Sequence, residues 1–297
     1  MAEDFTDSPV VEKVADGCKF TEGPAADAEG NLFFSDYPNN RIMVLHTDGS
    51  LEVWKEPSHR ANGMNFDPQG RLVVCCAQGQ GGAREVHRCE SDGGITVLAS
   101  SYKGKRLNSP NDLCFDPGGR VYFTDPRYGD LSDVEQDVMG VYRIEENGEL
   151  TLVIDDLETP NGILMTPDGT TIYIVDNNPD AGGARTLLAY GFDTGEDCWL
   201  RKAELYDFAP GRGGDGMVLD VDGNVYLTAG SGEQGGVYIF SPEGEHLAFV
   251  PTPESPTNCT FGGQDLTTLY ITAGTSVYSL KCTTPGYLAY PKLDGGM

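Results

Sequence analysis

The sequence predicts an all-β protein folded as a six-bladed β-propeller, and three observations predict it. A polar, oxygen-bearing residue followed by an apolar strand, a turn and a second apolar strand recurs six times along 297 residues. The copies lie roughly 40 to 55 residues apart, the interval at which four-stranded propeller blades repeat. The composition, 39 glycines and 18 prolines among many Val-Tyr, Leu-Tyr and Ile-Tyr pairs, is that of short strands joined by turns, with no sustained helix-period pattern.

The first five copies begin at Glu22, Asn62, Asn111, Asn161 and Asp215, each eight positions before a turn glycine: Gly30, Gly70, Gly119, Gly169 and Gly223. The sixth begins at Asn258, has lost that glycine and stands about one residue out of step. A further strand pair follows each copy, as at residues 41–46 with 50–54, 140–144 with 149–154, and 236–240 with 246–250. Four strands per unit in a radial ring leave only short, protected edges. In the last unit residues 276–282 and 287–290 offer no convincing fourth strand. Residues 10–16, patterned like the outer strand at 150–156, are expected to supply it and close the ring. The whole chain, 1–297, reads as one propeller domain with loose tails at 1–9 and 291–297.

A formal net charge of −26 argues against nucleic acid and anionic membrane as partners, since both need clustered Lys and Arg. The eight cysteines show no Cys-x-x-Cys pair, and several sit inside apolar strands, which suits free buried thiols in a reducing compartment. The first residues are acidic without an apolar leader, and no apolar run approaches the ~20 residues of a membrane span, so a cytoplasmic location is expected.

If the repeats are equivalent, Glu22, Asn62, Asn111, Asn161, Asp215 and Asn258 ring one mouth of the central channel. Asn-Gly and Asp-Gly are also ordinary turn formers, but six Asn, Asp or Glu residues in phase, with no Ser or Lys, favour a site. Two carboxylates with amide carbonyls make a hard oxygen site, suited to Ca²⁺, Mg²⁺ or Mn²⁺ rather than structural zinc. Two anions also match the charge of one divalent ion. A carboxylate beside such an ion can act as general base toward water. Asp215, flanked by Gly213, Gly214 and Gly216 that permit close approach, is the candidate base; Glu22, before Gly23-Pro24, suits a ligand. Tyr37, Arg127 and Tyr128, the last two in loop 125–130, and the Gly-rich runs 78–82, 180–184 and 230–236 are candidate pocket groups. The histidines at 46, 59, 87 and 246 have no ligand spacing, and no Gly-x-Ser-x-Gly elbow is present, which argues against acyl-enzyme chemistry.

Over about residues 18–282 the chain resembles the SMP-30/gluconolactonase (regucalcin-like) family. The resemblance rests on Glu22-Gly23-Pro24, Ser109-Pro110-Asn111-Asp112, Thr159-Pro160-Asn161-Gly162, Asp215-Gly216-Met217 and the run 260–272. It implies a propeller that hydrolyses lactones with one bound divalent metal, held by Glu22, Asn161 and Asp215, with Asn111 near metal or substrate and Asp215 as base. Asn62 and Asn258 carry over as channel-lining positions. Ca²⁺ is the first choice of ion, with Mg²⁺, Mn²⁺ or Zn²⁺ as alternatives. One position departs: Ser109-Pro110 precede Asn111, where animal members carry an arginine that contacts substrate, so their sugar specificity does not carry over. The expectation is a metal-dependent lactonase acting on a small-molecule lactone. The alternatives are a phosphotriesterase-type hydrolase on the same site and a non-enzymatic calcium-binding or interaction propeller.

Overall fold

A computed structural model describes residues 4–6 and 10–290 and shows six small antiparallel sheets in a ring, the predicted propeller. Blade 1 comprises Thr21–Ala26, Leu32–Asp36, Arg41–Leu45 and Leu51–Lys55; blade 2, Ala61–Phe66, Leu72–Cys76, Glu85–Cys89 and Ile95–Ala99. Blade 3 is Leu113–Phe115, Val121–Thr124, Val141–Ile144 and Leu150–Ile154; blade 4, Pro160–Met165, Thr171–Asn177, Arg185–Asp193 and Cys198–Asp207. Blade 5 is Gly214–Asp220, Val225–Ala229, Gly236–Phe240 and His246–Pro251. Blade 6 is Pro256–Gly262, Thr268–Ala273 and Ser276–Lys281, and its outer strand is Glu12–Ala15 from the other end of the chain.

That last pairing is the predicted closure. Glu12 sits opposite Ser279 and Lys13 opposite Tyr278. Residues 4–6 are tied to the same blade, with Thr6 Oγ1 donating to Lys281 O at 2.6 Å and Thr283 N to Phe5 O at 3.0 Å. The other residues expected to form loose tails lie outside the described ones.

Each blade buries both faces, so the core is distributed rather than central: six apolar clusters fill the six gaps between neighbouring blades. Phe33, Val44, Met64 and Val74 join blades 1 and 2, and Tyr122, Ile163, Ile174 and Trp199 join blades 3 and 4. Leu32, Phe34, Met43 and Val277, with Ala15, join blade 6 to blade 1. The hairpin between first and second strands is set by its own side chains. In blade 2 the Asp67 carboxylate accepts the backbone N–H of Gln69 and of Arg71, both at 2.9 Å, and Gly70 takes the left-handed φ of 74° that a side chain disfavours. In blade 6 Leu266 stands in that place with φ 53°.

Two connections have no counterpart in the repeat. Between blades 2 and 3, Ser101–Tyr102 and Lys105–Arg106 form a two-stranded hairpin outside the six blades. After blade 6 the chain crosses the far face of the ring, where Gly286–Tyr287 pairs with the free edge of blade 5's inner strand. Residues 287–289 then lie beneath the channel among Leu113, Ile163 and Cys259, and Tyr290 meets Phe115 edge-on at 5.8 Å. The channel therefore opens at one end. Among the described residues no helix is long and apolar enough to cross a membrane.

Candidate functional site

The open end is a cavity of about 590 Å³ reached by Glu22, Asn62, Asn111, Asn161 and Asp215, one from each of the first five blades. Five of the six predicted ring positions are brought together there. The glycine after the polar residue acts here through close approach rather than as a turn former. A Cβ on Gly23 would collide with the Asn62 carbonyl, one on Gly63 would come within 2.6 Å of the Asn111 carbonyl, and one on Gly162 would collide with the Asp215 carbonyl. The inner strands can converge on a narrow mouth because these positions carry no side chain.

Asn258 is not in the mouth. In blades 1, 3 and 5 a second-strand hydroxyl donates to the ring residue's carbonyl in the next blade: Ser35 Oγ to Asn62 O, Thr124 Oγ1 to Asn161 O, Thr228 Oγ1 to Thr257 O. Blade 6 thus places Thr257 at the ring level, its hydroxyl turned away from the mouth, between Thr272 of its own blade and Thr21 O of blade 1 at 2.8 Å. Asn258 falls one level lower, where its N–H bonds to Thr272 Oγ1 as that of Asp112 bonds to Thr124 Oγ1, both at 3.1 Å. The cause is a hairpin longer by one residue pair. Cys259 and Ile271 enclose eleven intervening residues where Met217 and Leu227 enclose nine. Counting eight back from the turn residue Leu266 therefore stops one residue short of the ring level at Thr257.

Arg127 is the second departure. It lies 5 % exposed beneath the loop, donating to Asp130 O at 2.7 Å and Asn108 O at 2.9 Å and paired with Asp133. It fastens the loop and does not face the cavity. Tyr128 does line it, and its hydroxyl accepts a hydrogen bond from Asn161 Nδ2 at 3.0 Å. Tyr37 and, from the 180–184 region's approach, Pro179 complete part of the wall with Phe20.

Arg212 is the residue that sequence reasoning missed. Its guanidinium pairs with Asp215 Oδ2 and donates to Gly230 O at 3.1 Å and Pro256 O at 2.8 Å. It thus reaches the sector that blade 6 leaves without a side chain, beside one of the two acids. The only signal in the sequence was an arginine three residues before Asp215 in a glycine-rich run, which repeat alignment ignores because no other copy has one.

The site's electrostatics follow from burial. Desolvation pushes the Asp215 carboxyl up to about 6, even though Arg212 and Asn161 pull it down. Burial, the Asp215 charge and then the Asp112 charge raise Glu22 well above the usual range. Burial likewise lifts Asp112 to about 7. The only hydrogen bond Glu22 accepts among the described residues comes from its own Gly23 N–H at 3.1 Å, and the amides of Asn62 and Asn111 have no protein partner there. Such under-satisfied oxygens facing one cavity fit a hard divalent cation. Among the described residues no three His, Cys, Asp or Glu side chains form a metal-holding group. The donor set here is instead two carboxylates with the Asn161 amide, and one Asp215 oxygen is already engaged by Arg212.

These raised values carry a sign for stability. A carboxyl that holds its proton more tightly folded than unfolded stabilises fully below its unfolded pKa, and that contribution is lost as pH rises through the folded value. Glu22, Asp112, Asp215 and the buried Asp125, also near 7, all act in this direction. His59, lowered by burial, opposes them as a single group. Glu254 and Asp265, held at about 2 by hydrogen bonds, act only in more acid solution. The cation-free protein is expected to melt at a lower temperature at pH 8 than at pH 5.5, and Ca²⁺ is expected to shrink the difference. Calorimetry in chelator checks this; a midpoint rising across that interval would contradict burial of these charges.

Other polar clusters are closed. Cys76 Sγ lies 3.4 Å from His87 Nδ1, whose Nε2 meets Glu85 at 2.6 Å, the order of a thiol–imidazole–carboxylate row. Cys76 is wholly buried, however, and burial raises its thiol, so it is no nucleophile. A larger groove of about 710 Å³ between blades 3 and 4 holds Asp116, Arg120, Arg143 and Glu145, which are paired with one another.

The sequence profile of the SMP-30/Gluconolactonase/LRE-like region matches residues 20–275. The gluconolactonase of Zymomonas mobilis is 34% identical over 310 aligned residues, covering 94% of this chain and 83% of that protein. The pentonolactonase of Haloferax volcanii is 26% identical, covering 88% and 84%. The solved structure of a gluconolactonase from Xanthomonas campestris superposes with a TM-score of 0.81 at 31% identity, covering 92% of this chain and 89% of that one.

Proposed function

The chain belongs to the SMP-30/gluconolactonase/LRE-like family, and from that premise we propose that it is a divalent-cation-dependent lactonase with its site at the open channel mouth. The observation that carries the reading is the pair of buried carboxylates, Glu22 and Asp215, meeting the Asn161 amide in a cavity closed on its far side. Glu22, Asn161 and Asp215 are the residues that would hold the cation. When bound, the cation supplies Lewis-acid polarisation of the ring carbonyl and a compensating charge for the two acids. Asp215, with its carboxyl near 6, is ionised at neutral pH and takes a proton as water's oxygen attacks the carbonyl carbon. The ring C–O bond breaks, and the departing ring oxygen recovers that proton to leave a hydroxy acid. Asn62 and Asn111 present free amides to substrate oxygens, and Phe20, Tyr37 and Tyr128 limit water around them. Arg212 steadies Asp215 and meets the carboxylate formed on ring opening. Ca²⁺ is the cation we favour, and eight free thiols suit work in a reducing compartment such as the cytoplasm.

The test is a panel of sugar lactones, aliphatic lactones and one phosphotriester, assayed after chelation and after return of Ca²⁺, Mg²⁺, Mn²⁺ or Zn²⁺ singly. Lactone hydrolysis should vanish with chelator and return with at least one ion. Hydrolysis that persists after exhaustive chelation removes the cation from the reading. Turnover of the phosphotriester alone removes the lactone.

A further inference from the structure

One level below the mouth, the inner strands contribute Gly23, Gly63, Asp112, Gly162, Gly216 and Asn258. Four of the six blades have no side chain there. The two that do are blades 3 and 6, which face each other across the ring, and their side chains meet: Asn258 Nδ2 donates to Asp112 Oδ2 at 3.3 Å. Each is 8 % exposed. The glycines around them are cut to fit. A Cβ on Gly63 would collide with Asp112 Oδ1, and one on Gly216 would collide with the Asn258 amide. Asp112 is further fixed by the Leu113 N–H at 2.9 Å, and Asn258 Oδ1 accepts the Cys259 N–H at 2.8 Å. A strut therefore spans the channel directly beneath Glu22 and Asp215, and below it the pocket is only about 60 Å³, stopped by residues 287–289.

We propose that the Asp112–Asn258 pair is the floor of the cation site, with Asp112 a positioning residue that adds a third, outer negative charge on the channel axis and Asn258 the group that holds it there. The inference rests on the cation reading above. A simple packing role would not require a carboxylate: an amide has the same shape, and a buried carboxylate costs stability in the absence of a counter-ion. Groups that lie behind metal ligands and carry charge toward them commonly change affinity 10- to 100-fold when altered. The floor also bounds the depth of the cavity, so a cation is held at the level of the ring.

The experiment is isothermal titration of the full chain with Ca²⁺ alone, alongside thermal melting in chelator at pH 8. Asp112→Asn should weaken Ca²⁺ binding by at least tenfold while leaving the cation-free midpoint equal to or above wild type. Asn258→Ala should weaken binding by less, three- to tenfold. The exchanged pair, Asp112→Asn with Asn258→Asp, returns the charge to the axis from the opposite blade and should recover affinity to within threefold of wild type. Affinity within twofold of wild type in Asp112→Asn overturns the proposal. So does a fall in the cation-free midpoint with affinity retained, and so does an exchanged pair no better than the single variant. A wild-type protein that binds none of Ca²⁺, Mg²⁺, Mn²⁺ or Zn²⁺ overturns the cation reading itself, an outcome distinct from failure of the floor.

Discussion

Asp215→Asn is expected to reduce lactone turnover on the order of 10⁴-fold, with the ring still closed and the cation-free protein melting no earlier at pH 8. The size follows from losing two roles at once. A positioned general base contributes about 10²- to 10⁴-fold, and an amide at this position is a weaker partner for a divalent ion. The unchanged fold follows from shape, because Asn fills the same volume. Arg212 keeps its bonds to Gly230 O and Pro256 O, and as a partly exposed group it tolerates loss of its anionic partner. Removing a carboxyl that burial holds near 6 also relieves the cation-free site at pH 8. Steady-state rates on the best lactone of the panel, with circular dichroism on the same sample, check the result. A variant within tenfold of wild type would reassign the base.

Deletion of residues 1–16 is expected to lower the thermal midpoint by on the order of 10 °C. The deletion takes away the strand Glu12–Ala15 and exposes the edge of Ser276–Lys281. It also withdraws Val14 and Ala15 from the gap between blades 6 and 1, and Phe5 and Val11 from the gap between blades 5 and 6. At roughly 1.5–3 kcal/mol for each large apolar side chain returned to water, the loss is about 5 kcal/mol, which in a chain of this size is about 10 °C or somewhat less. Scanning calorimetry in saturating Ca²⁺ isolates closure from the cation effect; a shift under 2 °C would mean that the ring is held shut without this strand. The freed edge is also a template for pairing between chains, so the truncated protein should aggregate more readily.

Membership in the gluconolactonase-like family and the six-bladed ring are legible in the sequence, because both are carried by a pattern repeated in phase. So is the closing strand, since residues 10–16 repeat the outer-strand pattern of residues 150–156. Legibility failed where a position depended on strand length rather than spacing. Asn258 has the right residue type, but its copy has lost the turn glycine and stands about one residue out of step, and one additional residue pair in the hairpin moves it off the ring. Arg127 and Tyr128 are neighbours in one loop, and nothing in the loop's sequence says which one turns inward. Arg212 belongs to no repeat, so a method that reads repeats passes over it.

By itself, then, the sequence determined the blade count, the period and the first five polar positions of the mouth. Each of these is a local choice of residue type that the next blade makes again. Only the tertiary structure decided what lies opposite what. Asp112 and Asn258 are separated by 146 residues and meet because blades 3 and 6 face each other across a channel cleared by glycines. Asp215 acquires its raised pKa from burial, opposed by the Arg212 guanidinium from the loop ahead of blade 5 and by the Asn161 amide from blade 4. Opposition across a closed ring is a property of the closure, and no single blade's sequence contains it.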